Sequence, residues 1–192
     1  MTVQNVSLIY ALLSMAATLG VIWFAVMAVA SRFSEPAHDG LLRTRERLAP
    51  YALAGAWIVA LLATLGSLYY SEIAHFEPCR LCWFQRVAMY PLVLILGIAA
   101  WRRDRDVRIY TVPLAVVGAA ISGYHYLLEW FPSIDTGACT VGVPCTLVWF
   151  REFGFISLPY LALSAFLLVI TLLLVPLGTQ ASGTGGTRMD EG

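Results

Sequence analysis

The chain has 192 residues, of which 59% are hydrophobic and only 12% charged, against roughly 25% charged residues in a soluble domain. The formal net charge is zero, yet all twelve basic residues are arginines and the charges fall in short blocks. This composition excludes a disordered chain, a nucleic-acid binder and an ordinary cytosolic enzyme, and points to a polytopic membrane protein.

A membrane-spanning helix needs about 20 apolar residues, because the hydrocarbon core is about 30 Å thick. Five runs qualify in chain order. The first, Leu8–Ala30, follows a segment with no charge at all. The second is Ala49–Tyr70, the third lies between Arg86 and Arg102, the fourth between Arg108 and Glu129, and the fifth covers Phe155–Leu177. Five such runs leave too little polar surface for a soluble protein. Ala28-Val29-Ala30 resembles a signal-peptide cleavage site, but no basic residue precedes the first run and the run is longer than a signal core, so retention is expected.

Arginine placement sets the orientation. Arg32, Arg43, Arg45 and Arg47 follow span one, Arg102, Arg103, Arg105 and Arg108 follow span three, and Arg188 lies in the tail. Placing these on the cytoplasmic side puts the N-terminus outside and the C-terminus inside. The segments Ser71–Gln85 and Trp130–Phe153 then face outward. The Gly-, Thr- and Ser-rich tail from Gly178 cannot build a core and is expected to be disordered.

All four cysteines fall in the two outward segments: Cys79 and Cys82 as Cys-Arg-Leu-Cys, and Cys139 and Cys145 six positions apart. An outward compartment permits disulfides, and three connectivities are open. Structural staples suit Cys139–Cys145, whereas a Cys-x-x-Cys bridge closes too short a loop to restrain the unfolded chain much. A zinc site from both pairs is a further alternative, but sulfur redox chemistry ranks first. Pro78 precedes Cys79, and an uncharged helical run follows. The helix start would favour thiolate, and Arg86, four residues after Cys82, would face the same side. Only fifteen residues, Val87–Trp101, separate Arg86 from Arg102. At 1.5 Å per residue they span about 22 Å, so the helix must draw in Cys82–Gln85 or its arginines must snorkel, and either way Cys82 sits at the membrane boundary. His125 lies in the outer part of span four, four residues before Glu129. A histidine there faces the bundle interior as a functional group or as a hydrogen-bond partner of a neighbouring helix.

The segment Pro78-Cys-Arg-Leu-Cys-Trp-Phe-Gln-Arg-Val-Ala-Met-Tyr-Pro91 resembles the Cys-x-x-Cys segment of the bacterial disulfide bond formation protein B (DsbB) family, and its BdbC-like branch in particular. The resemblance continues through His125-Tyr-Leu-Leu-Glu-Trp-Phe-Pro132, the second cysteine pair and Gly154-Phe-Ile-Ser-Leu-Pro159, and covers about Tyr51–Pro176. It implies an all-α integral membrane protein: a four-helix transmembrane bundle, here with one additional N-terminal transmembrane helix. Residues 1–48 would be that helix and a basic cytoplasmic loop, 49–177 the redox bundle, and 178–192 the tail. The implied activity is a thiol:quinone oxidoreductase in the bacterial cell (inner) membrane. It would reoxidise an extracytoplasmic thioredoxin-like thiol oxidase and use ubiquinone or menaquinone. By position, Cys139 would form the mixed disulfide with the partner and Cys145 would exchange with Cys79. Cys82 would be the quinone-facing thiolate, Arg86 would position the quinone, and His125 would lie near it. The additional helix and the short Cys139–Cys145 spacing depart from better-known members. A vitamin K epoxide reductase-like enzyme and a non-enzymatic scaffold with stapled loops are the competing readings.

Overall fold

The computed structural model describes residues 2–175 except Thr136, Ala138, Thr140 and Val141. Five α-helices dominate it: α1 (Val3–Ala30), α2 (Glu35–Leu68), α3 (Arg80–Arg102), α4 (Arg108–Trp130) and α5 (Leu158–Leu174). No named strand occurs among the described residues; one isolated bridge joins Glu152 and Ile156.

Helices α2 to α5 form the bundle. α2 packs on α3 and α5, α4 on α3 and α5, and α1 lies outside against α5 and α2. The core is built from small and branched residues. Ala56 and Ala60 of α2 face Leu92 and Leu96 of α3, and Phe166 and Val169 of α5 fill the centre. With lipid outside, helices gain nothing from hiding apolar surface from one another, so close packing holds them together. Gly118 illustrates this: a Cβ there would lie 2.3 Å from the Phe166 ring.

Four helical segments are long and apolar enough to cross a membrane: Val3–Ala30, Glu35–Ile73, Arg80–Arg102 and Arg108–Trp130. α5 is shorter, with 17 residues, about 25 Å at the helical rise. Its expected start at Phe155 is occupied by a turn. Phe153 and Gly154 both take positive φ, the Glu152–Ile156 bridge closes it, and Ser157 precedes the first helical residue. The expected end at Leu177 and the tail from Gly178 lie outside the described residues.

α3 extends back to Arg80, the first of the two ways its short uncharged stretch could cross. The basic segment after α1 differs from the loop expected for it. Only residues 31–34 connect the helices, and α2 runs from Glu35 through Arg43, Arg45, Arg47 and Pro50. Pro36 sits in the first turn, where its missing N–H costs nothing, and leucines and arginines are good helix formers. At its far end α2 passes into a π-helical turn, Tyr69–Ile73. The wider turn rotates Tyr70 inward, where it is 4% exposed. The connections α2–α3 and α4–α5 meet at one end of the bundle, and the α1–α2 and α3–α4 connections, with the arginine-bearing start of α2, lie at the other.

Candidate redox site

Cys79 caps α3. Its Sγ accepts the backbone N–H of Cys82 at 3.3 Å, using one of the donors a helix start leaves unpaired. The two sulfurs of this pair are 2.9 Å apart and not bonded. Cys139 and Cys145 form a disulfide with Cα atoms 5.7 Å apart. Cys79, Cys139 and Cys145 are buried in one cluster with Leu81 and Leu128, and Cys82 packs against it. The short spacing of the second pair therefore demands no long excursion: its disulfide already lies against Cys79.

His125 joins the two pairs. Its Nε2 lies 3.7 Å from Cys79 Sγ and 3.1 Å from the Cys145 carbonyl oxygen. Its Nδ1 lies 3.4 Å from Gln85 Nε2. α4 presents the histidine almost fully buried, 3% exposed. The Cys79 thiol is held far below its ordinary value, at about 4. The hydrogen bond from Cys82 is the main cause and His125 adds to it, against the opposing effect of burial. Cys79, Cys82 and His125 place ligating atoms within 4.8 Å of one another. Tetrahedral zinc with Zn–S bonds of about 2.3 Å holds its sulfurs nearly 4 Å apart, so the 2.9 Å separation suits sulfur–sulfur bonding better.

A half-open cavity of about 110 Å³ adjoins this cluster, comparable with the roughly 150 Å³ pocket that admits a benzene ring. Cys82, Gln85 and Arg86 of α3 form one wall. Arg86 is held by α2: its Nε donates to Ser67 Oγ at 3.0 Å and its Nη2 to the Ser67 carbonyl at 3.2 Å. Its guanidinium also lies 5.1 Å from the Trp83 ring. Tyr70, Phe76 and Trp149 close the end of the cavity. Phe76 stacks on Trp149 at 4.6 Å and on Tyr70 at 5.7 Å, which ties the two connections together.

The six residues singled out in the sequence thus divide. Cys82 and Arg86 face the cavity. Cys79, Cys139, Cys145 and His125 form the sulfur cluster, and His125 is not on the cavity wall. Glu129 turns to α5, accepting a hydrogen bond from Ser157. Gln85, Ser67 and Tyr10 were not foreseen. Gln85 sits inside the Cys-Arg-Leu-Cys-Trp-Phe-Gln-Arg segment and was legible there. Ser67 and Tyr10 carry no local signal, because their partners lie on other helices.

An all-helical membrane bundle holding a disulfide against a reduced Cys-x-x-Cys pair defines a protein of thiol–disulfide exchange. A family profile described as "Disulfide bond formation protein DsbB" matches residues 49–176, and the chain belongs to this family, in its BdbC-like branch. It is 53% identical over 119 residues to "Disulfide bond formation protein C" of Bacillus subtilis (strain 168), covering 62% of this chain and 86% of that one. It is 47% identical over 126 residues to "Probable disulfide formation protein C 1" of Bacillus anthracis, covering 65% and 91%. No solved structure matches. Family membership makes the chain an oxidoreductase of disulfide bond formation, and the apolar helices make it a multi-pass membrane protein.

Proposed function

We propose that the chain is a thiol:quinone oxidoreductase that reoxidises an extracytoplasmic thioredoxin-like thiol oxidase. The observation that carries this reading is continuity. A buried disulfide, a reduced pair with sulfurs 2.9 Å apart and a ring-sized cavity beside Cys82 follow one another without a gap. The arginine-rich end of the bundle is assigned to the cytoplasm and the cysteine end to the exterior.

The relay balances as four sulfur exchanges. A partner thiolate attacks Cys139, forming the mixed disulfide and releasing Cys145. Cys145 attacks Cys79 of the oxidised Cys79–Cys82 bond and releases Cys82. The partner's second thiol frees Cys139 and leaves the partner oxidised. Cys139 then attacks Cys145, restoring their disulfide and releasing Cys79. Cys79 and Cys82 now hold two electrons as a dithiol, the pairing seen here. His125, whose Nε2 faces both Cys79 Sγ and the Cys145 carbonyl, stabilises the Cys79 thiolate as a hydrogen-bond donor.

The cavity fits a quinone head: it is ring-sized, mostly apolar, and carries the cationic Arg86 and the amide of Gln85 beside a sulfur. A quinone bound there supplies the acceptor for two electrons and two protons. Arg86 places positive charge where negative charge develops, and Tyr70, Phe76 and Trp149 supply aromatic surface. Ubiquinone and menaquinone both present such a head.

The test is quinone reduction by the purified protein supplied with a reduced thioredoxin-like partner. Cys82→Ser is expected to abolish it while the Cys139–Cys145 disulfide still exchanges with the partner. Full quinone reduction by Cys82→Ser would refute the route.

A further inference from the structure

The family match begins at residue 49, so α1 lies wholly outside it. The 119 residues matched in the Bacillus subtilis relative are 86% of that protein. About 20 of its residues remain, fewer than the 28 of α1. α1 is therefore an addition that the shared chemistry does not account for.

Its buried face is narrow and small. Ser7, Ala11 and Ser14 are buried, spaced so that they share one side of the helix. Small residues let helices approach closely in a membrane. The hydroxyl of Tyr70 donates to Ser7 Oγ at 3.2 Å, and Thr18 pairs with Tyr160 of α5 at 3.0 Å. Leu12, Leu13, Leu19, Ile22, Val26 and Val29 of α1 are exposed, as suits a lipid-facing helix.

Tyr10 is the bulky exception on the inward side. It lines the same cavity as Cys82 and Arg86. It reaches there because position 66 is glycine: a Cβ on Gly66 would lie 2.6 Å from Tyr10 Cε1. The Tyr10 hydroxyl is spent on the Leu62 carbonyl at 3.1 Å, so the part left for a ligand is the ring. That ring lies 6.2 Å from Tyr70 and extends the aromatic series Tyr70–Phe76–Trp149 along the cavity.

We propose that α1 is a wall of the quinone cavity and that Tyr10, held over Gly66, is an acceptor-binding residue that packs against the planar head of the acceptor. This rests on the quinone reading above and extends the site beyond the bundle shared with relatives. Because Tyr10 contributes ring surface and no free donor, it acts on binding of the acceptor and leaves sulfur exchange alone.

The test uses the full chain in detergent, with dithiothreitol as electron donor and two acceptors, decylubiquinone and 2,3-dimethyl-1,4-naphthoquinone, both fully substituted and so inert to thiol addition. Binding is read independently in a Cys79→Ser background, where the pair cannot be oxidised to a disulfide, as protection of Cys82 from maleimide by each quinone. Tyr10→Ala is expected to raise the KM for both acceptors at least fivefold and to weaken protection in parallel. kcat and the rate of Cys139–Cys145 reduction by dithiothreitol should stay within twofold. Tyr10→Phe keeps the ring and should behave as the parent. Gly66→Ala should displace the ring and raise KM, and adding it to Tyr10→Ala should add nothing. If the parent binds and reduces quinone while Tyr10→Ala keeps its KM and protection, the proposal is overturned and the quinone reading stands. It is equally overturned if Tyr10→Ala slows dithiothreitol exchange as much as quinone use, the mark of a folding defect. A parent that neither binds nor reduces either quinone overturns both.

Discussion

Ser67 offers a sharp test of how Arg86 works, because it touches the arginine and no sulfur. Ser67 Oγ accepts from Arg86 Nε at 3.0 Å and from the Tyr90 hydroxyl at 3.4 Å. Ser67→Ala removes both bonds and leaves the grip of Arg86 Nη2 on the backbone carbonyl at 3.2 Å. A hydrogen bond to a charged group contributes about 1.5–3 kcal/mol. Both partners are half-buried, which places this bond near the lower end. Each 1.4 kcal/mol corresponds to about tenfold, so quinone-dependent kcat/KM is expected to fall about tenfold. Steady-state quinone reduction with dithiothreitol as donor measures this, and direct reduction of the Cys139–Cys145 disulfide serves as the internal control. Ser67→Thr retains the hydroxyl and should recover most of the loss. Unchanged quinone kinetics in Ser67→Ala, or an equal fall in both reactions, would refute the view that α2 aims Arg86 into the cavity.

Two further expectations concern the cluster and the packing. The Cys79 pKa is lowered to about 4, so the thiolate persists through neutral and mildly acidic pH and is lost as pH falls through that value. Ultraviolet thiolate absorbance of the reduced pair should follow this course. His125→Ala should move the loss to higher pH and Cys82→Ala should move it further, since Cys82 is the larger cause; a parental midpoint near the ordinary thiol value would contradict it. Gly118→Ala drives a Cβ to 2.3 Å from the Phe166 ring. Such overpacking costs about 1–3 kcal/mol, which should lower the apparent Tm in detergent by roughly 3–10 °C. Phe166→Leu in the same chain should recover part of this loss, and an unchanged Tm for Gly118→Ala would show that the helices simply part.

The length of α3 was legible because a 15-residue uncharged stretch cannot cross a membrane, and the structure extends it to Arg80. The shared side of Cys82 and Arg86 followed from their four-residue spacing. The start of α5 was misplaced because hydropathy does not distinguish a helical Phe155 from one in a turn, and the positive φ at Phe153 and Gly154 leaves no hydropathic trace. The helical course of the basic segment was hidden for a related reason: arginines mark a membrane side, and their charge says nothing about the backbone beneath them.

By itself, the sequence determined that this chain crosses a membrane several times, that its four cysteines fall in two pairs near the ends of spans, and which family it resembles. These are properties of composition and spacing along one helix or loop, where neighbours in sequence are neighbours in space. Only the tertiary structure decided that His125 sits on Cys79 and the Cys145 carbonyl and off the cavity wall, that Ser67 holds Arg86, and that Tyr10 reaches in over Gly66. Each of these joins different helices, whose mutual rotation and closeness are set by which small residues let their backbones approach.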